Sequence, residues 1–212
     1  MAEEEDLTLS ASVHSTRVGG QMRVISGSAR GRRLKTVPGL ELRPTLDRVR
    51  QAVFSSLGSR IPGAGFLDLF AGCGAVGIEA LSRGAGRVVF VESCRACCGA
   101  LAENLEACAL GDRARTLQCD WRAGLERLRA AGERFDVIYA DPPYGRYDEA
   151  GVLSELSELL ASEGVLLLEH PGRRPVPQGV GRLRLVRGVK YGQTSISWYA
   201  PQQSVDRACR HP

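Results

Sequence analysis

The sequence predicts an α/β protein built on a doubly wound, mostly parallel sheet, and three observations carry that expectation. From Phe66 onward, short apolar runs alternate with segments of helical spacing, as right-handed βαβ units require. The first run leads into a glycine-rich turn, and the fourth ends in Asp141-Pro142-Pro143-Tyr144. The 212 residues, 43% hydrophobic and 25% charged, suit one globular domain with a small appendage.

Taken in order, residues 1–21 are polar and acidic, end in Gly-Gly, lack periodicity and read as a disordered tail. Met22 to Ser26 alternates as a short strand, Gly27 to Gly31 forms a turn, and Arg32 to Thr36 returns as a second strand. Thr45 is placed to cap a helix in which Leu46, Val49, Val53 and Leu57 recur at helical spacing, with Ala52 and Phe54 widening the stripe. Arg48 and Arg50 are assigned outside that stripe. Gly58 and Pro62-Gly63 end the helix.

Strands are then expected at Phe66–Phe70, Arg87–Glu92, Arg115–Cys119, Phe135–Ala140 and Gly164–Glu169, with helices at Ala75–Arg83, Cys94–Cys108, Arg122–Ala131 and Asp148–Leu160 between them. A Pro/Gly-rich link, Pro171 to Gly181, precedes two further strands, Leu183–Tyr191 and Thr194–Tyr199. These flank Gly192-Gln193 as a hairpin at the sheet edge. The chain thus divides into a tail (1–21), a hairpin-helix extension (22–60), a principal domain (61–200) and a loose C-terminal tail (201–212).

The formal net charge of +4 conceals an asymmetry. Between Met22 and Arg60 nine Lys/Arg face only Glu41 and Asp47, whereas residues 61–200 carry 16 basic and 17 acidic side chains. A neutral body with a basic N-terminal module points to a polyanionic partner, and the glycine-interrupted hairpin favours nucleic acid. No apolar run approaches the length of a membrane span, and Met1-Ala-Glu-Glu-Glu-Asp6 is the opposite of a basic, apolar leader. A soluble cytoplasmic protein without membrane association is expected. The seven cysteines, an odd number, are expected as free thiols in a reducing compartment. Cys94, Cys97 and Cys98 share one face of a helix, but no fourth ligand and no second pair accompany them, so no metal site is expected.

The first chemical motif is Asp68-Leu-Phe-Ala71-Gly72-Cys73-Gly74-Ala-Val-Gly77, a strand running into a glycine turn and a helix. Such a turn brings a ligand close to the backbone at the carboxyl end of a strand. Gly72, Gly74 and Gly77 satisfy a dinucleotide fingerprint, with Glu92 twenty residues after Gly72 and able to accept from ribose hydroxyls. A diphosphate wants bare N–H groups and no negative charge nearby. Asp68 just before the loop instead suits a sulfonium and an amino-acid ammonium, which favours S-adenosylmethionine over a nicotinamide dinucleotide. Asp120 ends the third strand, where it can accept from an adenine amine or cap the next helix. Trp121 can cover the adenine ring or belong to the core.

The second motif is Asp141-Pro142-Pro143-Tyr144. The prolines stiffen the turn and remove backbone donors. A carboxylate and a carbonyl held there can accept both hydrogens of an exocyclic amine on a base, which directs the nitrogen lone pair out of the ring plane. Tyr144 is placed to stack on the base, which must be unstacked or flipped to enter.

These two motifs resemble those of the class I amino-group methyltransferases. Arg43-Pro-Thr-Leu-Asp-Arg48-Val-Arg50, the Arg30-Gly-Arg32-Arg33 hairpin and Gly77-Ile-Glu-Ala-Leu-Ser-Arg-Gly84 narrow the likeness. Over Met22 to about Ala200 the chain resembles the RsmD family, bacterial 16S ribosomal RNA (guanine-N2)-methyltransferases. The resemblance implies a Rossmann-like, seven-stranded, mostly parallel sheet whose last strand is antiparallel, with residues 61–200 as the methyltransferase domain. It implies S-adenosylmethionine as methyl donor and a guanine in 16S rRNA, in an assembled or assembling small ribosomal subunit, as target. It assigns cofactor roles to Asp68, Ala71, Gly72, Cys73, Gly74, Glu92, Asp120 and Trp121, and catalytic roles to Asp141, Pro142, Pro143 and Tyr144. Arg30, Arg32, Arg33, Arg43, Arg48 and Arg50 are the expected RNA contacts. Cys73 stands where the family often has serine. A monomer is expected, since no apolar stripe marks a dimer face. The rivals are an N6-adenine DNA methyltransferase, which uses the same tetrapeptide but normally carries a larger domain to read sequence, and a noncatalytic RNA-binding assembly factor that retains the fold. A protein-glutamine methyltransferase would carry Asn in place of Asp141.

Overall fold

The computed structural model describes residues 22–37, 45–143, 145, 147–172 and 175–202. In chain order the elements are α1 (Thr45–Leu57), β1 (Gly65–Leu69), α2 (Ala75–Ser82), β2 (Arg87–Glu92), α3 (Arg95–Ala107), β3 (Ala114–Gln118), α4 (Trp121–Ala130), β4 (Phe135–Ala140), α5 (Glu149–Ser157), β5 (Leu160–Pro171), β6 (Gly179–Val180), β7 (Leu183–Tyr191) and β8 (Thr194–Pro201). The strands form one sheet in the order β3-β2-β1-β4-β5-β8-β7-β6. β1 to β5 pair in parallel, and β8 runs antiparallel to both β5 and β7. The seven long strands follow the expected plan. The eighth, two-residue β6, pairs antiparallel with β7 from within the stretch read as a link.

The central strands are buried on both faces, so they read as continuous apolar runs. Alternation along them divides the core. Phe66, Phe90 and Val137 face α1, α2 and α3, whereas Leu67, Leu69 and Ile138 face α4 and α5. The N-terminal hairpin lies on the first side, where Val24, Ala29 and Leu34 join Val53, Phe54 and Leu81 in one cluster. No helix of the described residues is long and apolar enough to cross a membrane.

Three expectations are corrected. The N-terminal hairpin is not a two-stranded ladder; it holds a single antiparallel bridge, Arg23 to Arg33. Val24 N, Gly31 N and Leu34 N donate across the hairpin to Arg32 O, Val24 O and Met22 O, and other donors turn to the body of the protein. Ile25 N and Ser26 N donate to the Glu79 carboxylate, Ala29 N to Ser82 Oγ and Lys35 N to Asn104 Oδ1. Gly27 makes the close approach feasible. Its φ is +85°, and a Cβ there would lie 1.8 Å from Ser82 O.

The helix expected to run to Leu160 stops at Ser157, because Leu160 already pairs with Phe135 across a bulge. Arg182 donates to Ser157 O, a carbonyl that the helix end leaves without a partner, and to Leu160 O at the start of β5. Finally, α4 begins at Trp121 rather than Arg122, with Asp120 as its N-cap.

Candidate active site

The chain builds β1, β2 and β3 in one direction and then crosses to β4 and β5 on the other side of β1. The carboxyl ends of β1 and β4 therefore flank the topological switch point, where open α/β sheets bind ligands. Both sequence motifs arrive there. Leu69 pairs with Ala140 at the ends of the two strands, and Asp141 N donates to Leu69 O at 3.4 Å. The Asp-Pro-Pro turn and the glycine loop thus leave the sheet side by side.

The loop is held by backbone bonds from its first residues. Phe70 N and Ala71 N both donate to Val91 O, at 3.0 and 3.1 Å, and Gly74 N donates to Ala71 O at 2.9 Å. Phe70 takes a left-handed φ of 63°, uncommon for a bulky residue and a local strain that the surrounding bonds enforce. Gly74, at φ 82° and with Leu101 Cδ1 only 2.2 Å from where a Cβ would sit, admits no side chain. Gly77 is needed for packing: a Cβ there would meet the Phe90 ring at 2.2 Å. Glu92 reaches across from β2. Its Oε2 accepts from Gly72 N at 2.8 Å and its Oε1 from Cys94 N at 2.7 Å, so one carboxylate joins the loop to the start of α3.

Two of the expected cofactor residues are placed differently. Asp68 is buried and does not present its carboxylate to the open side of the loop. Alternation along β1 turns it toward α2, where Oδ2 accepts from Gly77 N at 2.8 Å, one of the donors a helix start leaves without partners. Asp68 braces the loop from beneath. Burial pushes its carboxyl up to about 8, against the Gly77 N–H and with the Glu92 charge adding to the rise.

Trp121 is a core residue and no ring cover. It is 3% exposed, because Leu125 and Leu128 follow it at helical spacing on the face turned to the sheet. Its ring packs against Phe70 and Tyr147, with centroids 5.8 and 5.5 Å away, and its Nε1 is buried without a hydrogen-bond partner among the described residues. Phe70 and Tyr147 themselves stack at 5.5 Å and are only partly buried. These two aromatics at the loop exit were missed. The signal was available for Phe70, which lies inside the glycine motif, but not for Tyr147.

The other positions stand as follows. Ala71 and Gly72 are half-buried, and Cys73 is buried with its carbonyl accepting from Asn104 Nδ2 at 3.0 Å. Burial raises the Cys73 thiol, so the group that stands in place of a serine hydroxyl is turned inward and protonated. Asp120 is exposed and caps α4, its Oδ1 accepting from Arg122 N at 2.9 Å. Asp141 is half-buried, Pro142 buried and Pro143 exposed; Tyr144 lies outside the described residues.

Beneath the Asp-Pro-Pro turn, Tyr139 donates a short hydrogen bond to Glu169, and both are buried. Burial and then the charges of Glu169 and Asp141 hold the Tyr139 hydroxyl well above its usual range, so it remains a donor. His170 beside it bonds Ser197 Oγ and Pro171 O, and burial lowers its pKa. It belongs to the interior; His14 and His211 lie outside the described residues.

On the basic module Arg30, Arg32, Arg33 and Arg48 are exposed, and Arg43 lies outside the described residues. Arg50 is the exception: its burial removes it from any RNA-contacting surface. It is 5% exposed and donates to Arg23 O at 2.5 Å and Asp47 Oδ1 at 2.9 Å, with Glu79 Oε2 4.0 Å away. Among the described residues no group of three or more His, Cys, Asp or Glu could hold a metal ion.

The brace at Asp68 has a measurable signature. A carboxyl whose pKa rises from 3.8 to about 8 on folding holds its proton more tightly in the native state. Its contribution to stability is full below pH about 4 and is lost as pH rises toward 8. Asp68→Asn keeps an acceptor for Gly77 N and has no proton to lose. Urea midpoints measured at about pH 5 and pH 8.5 are expected to fall further in the wild type than in the variant. Parallel falls would show that Asp68 titrates normally.

Comparison with known proteins agrees with this architecture. A family model described as Conserved hypothetical protein 95 matches residues 22–200. The Bacillus subtilis protein YlbH is 36% identical over 180 residues, covering 84% of this chain and 98% of that protein. The Ribosomal RNA small subunit methyltransferase D of Escherichia coli K12 is 35% identical over 182 residues, covering 85% of this chain and 90% of the relative. The solved structure of the Escherichia coli protein yhhF superposes with a TM-score of 0.74 at 33% identity, covering 86% of this chain and 98% of that one. The chain belongs to the Conserved hypothetical protein 95 family, that of the RsmD-type methyltransferases.

Proposed function

We propose that the protein transfers a methyl group from S-adenosylmethionine to the exocyclic N2 amine of a guanine in small-subunit (16S) ribosomal RNA, in the cytoplasm and as a monomer. The observation that carries the chemistry is the Asp141 N to Leu69 O bond, which sets the amine-binding turn beside the glycine loop. The relatives named as rRNA methyltransferases support the RNA class. The choice of guanine N2 over adenine N6 rests on the family likeness.

The residues present fit the cofactor. Gly72, whose missing Cβ would face open space, leaves the loop no side chain to obstruct an approach, Glu92 keeps lone pairs on both oxygens beyond its two backbone bonds, and Asp120 stands exposed at the end of β3. When bound, S-adenosylmethionine supplies an electrophilic methyl group on a sulfonium. The protein's task is to make a poor nucleophile available. A guanine amine is delocalised into its ring. Asp141, through a carboxylate oxygen, and Pro142, through its carbonyl, accept its two hydrogens and stabilise the positive charge that develops on nitrogen. Tyr144 is assigned the stacking role from its sequence position alone. No strong base is required, because the ammonium product is very acidic.

Residues 22–60 are proposed as the RNA grip, through Arg30, Arg32, Arg33, Arg43 and Arg48. Contacts to phosphate release counterions, so affinity is expected to fall steeply with salt, and Arg32→Ala is expected to reduce the log–log slope by about 1. A salt-independent affinity would remove the basic module from the binding site. The whole reading is tested by tritium transfer to undermethylated small subunits with naked rRNA and DNA as competitors. Preferred labelling of DNA would replace it with the adenine-N6 reading, and no labelling at all with the noncatalytic one.

A further inference from the structure

Five of the described cysteines lie in the glycine loop, at the end of β3 and at the start of α3, and the methyl-transfer chemistry uses none of them as a reactant. Two stand apart. Cys94-Arg95-Ala96-Cys97 is a CxxC placed across the N-terminus of α3, with Cys94 as the N-cap and Cys97 in the first turn. Cys94 is exposed and Cys97 is buried, and Cys94 Sγ accepts from Cys97 N at 3.4 Å. Cys94 N is also one of the two donors on Glu92, the carboxylate that holds Gly72 N on its other oxygen.

We propose that Cys94 and Cys97 form a peroxide-reactive thiol pair, with Cys94 as the attacking and Cys97 as the resolving sulfur, and that their disulfide loosens the glycine loop. The division of labour follows from the surroundings. Hydrogen bonds from the Cys97 thiol and then from its backbone N–H hold the Cys94 thiol below the ordinary range, as helix N-termini do. Burial pushes Cys97 up to about 12. Cys98 is engaged elsewhere, its Sγ lying 3.5 Å from Glu92 O, and is buried.

The oxidant is a hydroperoxide. The Cys94 thiolate attacks one peroxide oxygen, the O–O bond breaks and hydroxide leaves, giving a sulfenic acid at Cys94. The Cys97 sulfur then attacks the Cys94 sulfur and the S–O bond breaks. The departing hydroxide takes the Cys97 proton as water. In sum, two thiols lose two electrons and two protons, and hydrogen peroxide becomes two waters. The new S–S bond replaces the Cys94 Sγ to Cys97 N contact and draws Cys94 toward the helix, displacing the backbone N–H that anchors Glu92. Gly72 then loses its tether.

The test uses the full chain, reduced, desalted and treated with hydrogen peroxide, with remaining thiols alkylated. Trypsin cleaves after Arg95, so the pair falls on separate peptides, residues 88–95 and 96–113. Under non-reducing mass spectrometry these are expected to be joined in the oxidised protein and separate after dithiothreitol. In Cys97→Ser the join is expected to vanish and dimedone to label Cys94. Cys94→Ser is expected to consume peroxide far more slowly. Absence of the joined peptides, or the same join in Cys97→Ser, overturns the assignment. Affinity for S-adenosylhomocysteine, measured by calorimetry, is expected to weaken about five- to tenfold on oxidation and to recover on reduction. Equal affinity in both forms overturns the coupling to the loop. This last arm rests on the methyltransferase reading and the cross-link does not. A reduced protein that binds no S-adenosylhomocysteine would therefore sink that reading and leave the thiol chemistry standing.

Discussion

Asp141→Ala is expected to lower the rate of methyl transfer by about a hundred- to a thousandfold while S-adenosylhomocysteine binds as it does to the wild type. The side chain is assigned to the amine, whereas the backbone of residue 141 is what fixes the turn, through its N–H on Leu69 O and the buried Pro142 that follows. Truncation to alanine keeps both. Among the described residues the glycine loop and Glu92 are bonded to β2 and α3, so cofactor affinity is expected to hold. Asp141→Asn keeps one acceptor oxygen, loses the charge and places a donor beside the amine. It is expected to fall between alanine and wild type under single-turnover conditions, where chemistry and not product release is read. Undiminished transfer by the alanine variant would sink the acceptor-pair mechanism.

How much of this was legible in the sequence depends on the range of the forces involved. The βα alternation, the sheet plan and the convergence of two motifs were readable, because each depends on local periodicity and on residues whose backbone properties are unusual in themselves. Orientation within those elements was harder. β1 is buried on both faces, so its apolar run gives no sign of which side Asp68 takes. The burial of Trp121 could have been read, since Leu125 and Leu128 repeat its face, but starting the helix one residue late hid that spacing.

Arg50 shows both a missed signal and a real limit. It precedes Phe54 by four residues and so shares the face that Phe54 was admitted to. Charge alone placed it outside. What makes its burial tolerable is the carbonyl of Arg23, 27 residues away, and the carboxylate of Glu79, and neither partner is visible from the helix pattern.

Glu79 is where that long-range order is concentrated, and its removal is expected to be the most damaging single change outside the catalytic turn. The side chain is fully buried on α2, in a segment that reads as an ordinary core helix. Its oxygens accept from Ile25 N at 2.7 Å, Ser26 N at 3.0 Å and Arg83 Nε at 2.6 Å, and face Arg50. Glu79→Ala leaves two backbone donors and the half-buried Arg83 guanidinium without their acceptor, and removes a countercharge from the buried Arg50. Breaking a buried ion pair from one side costs about 3–5 kcal/mol. A loss of that size is expected in urea-induced unfolding, together with faster hydrogen exchange at Ile25 and Ser26. Glu79→Gln, which keeps an acceptor oxygen without the charge, is expected to lose less. Because the same contacts seat the hairpin that carries Arg30, Arg32 and Arg33, RNA affinity is expected to fall in Glu79→Ala although no basic residue has changed. If the alanine variant stays within about 1 kcal/mol of wild type and exchange at residues 25 and 26 is unaltered, Glu79 is not the anchor. The hairpin would then be held by its apolar contacts, Val24, Ala29 and Leu34, and by its bonds to Ser82 and Asn104.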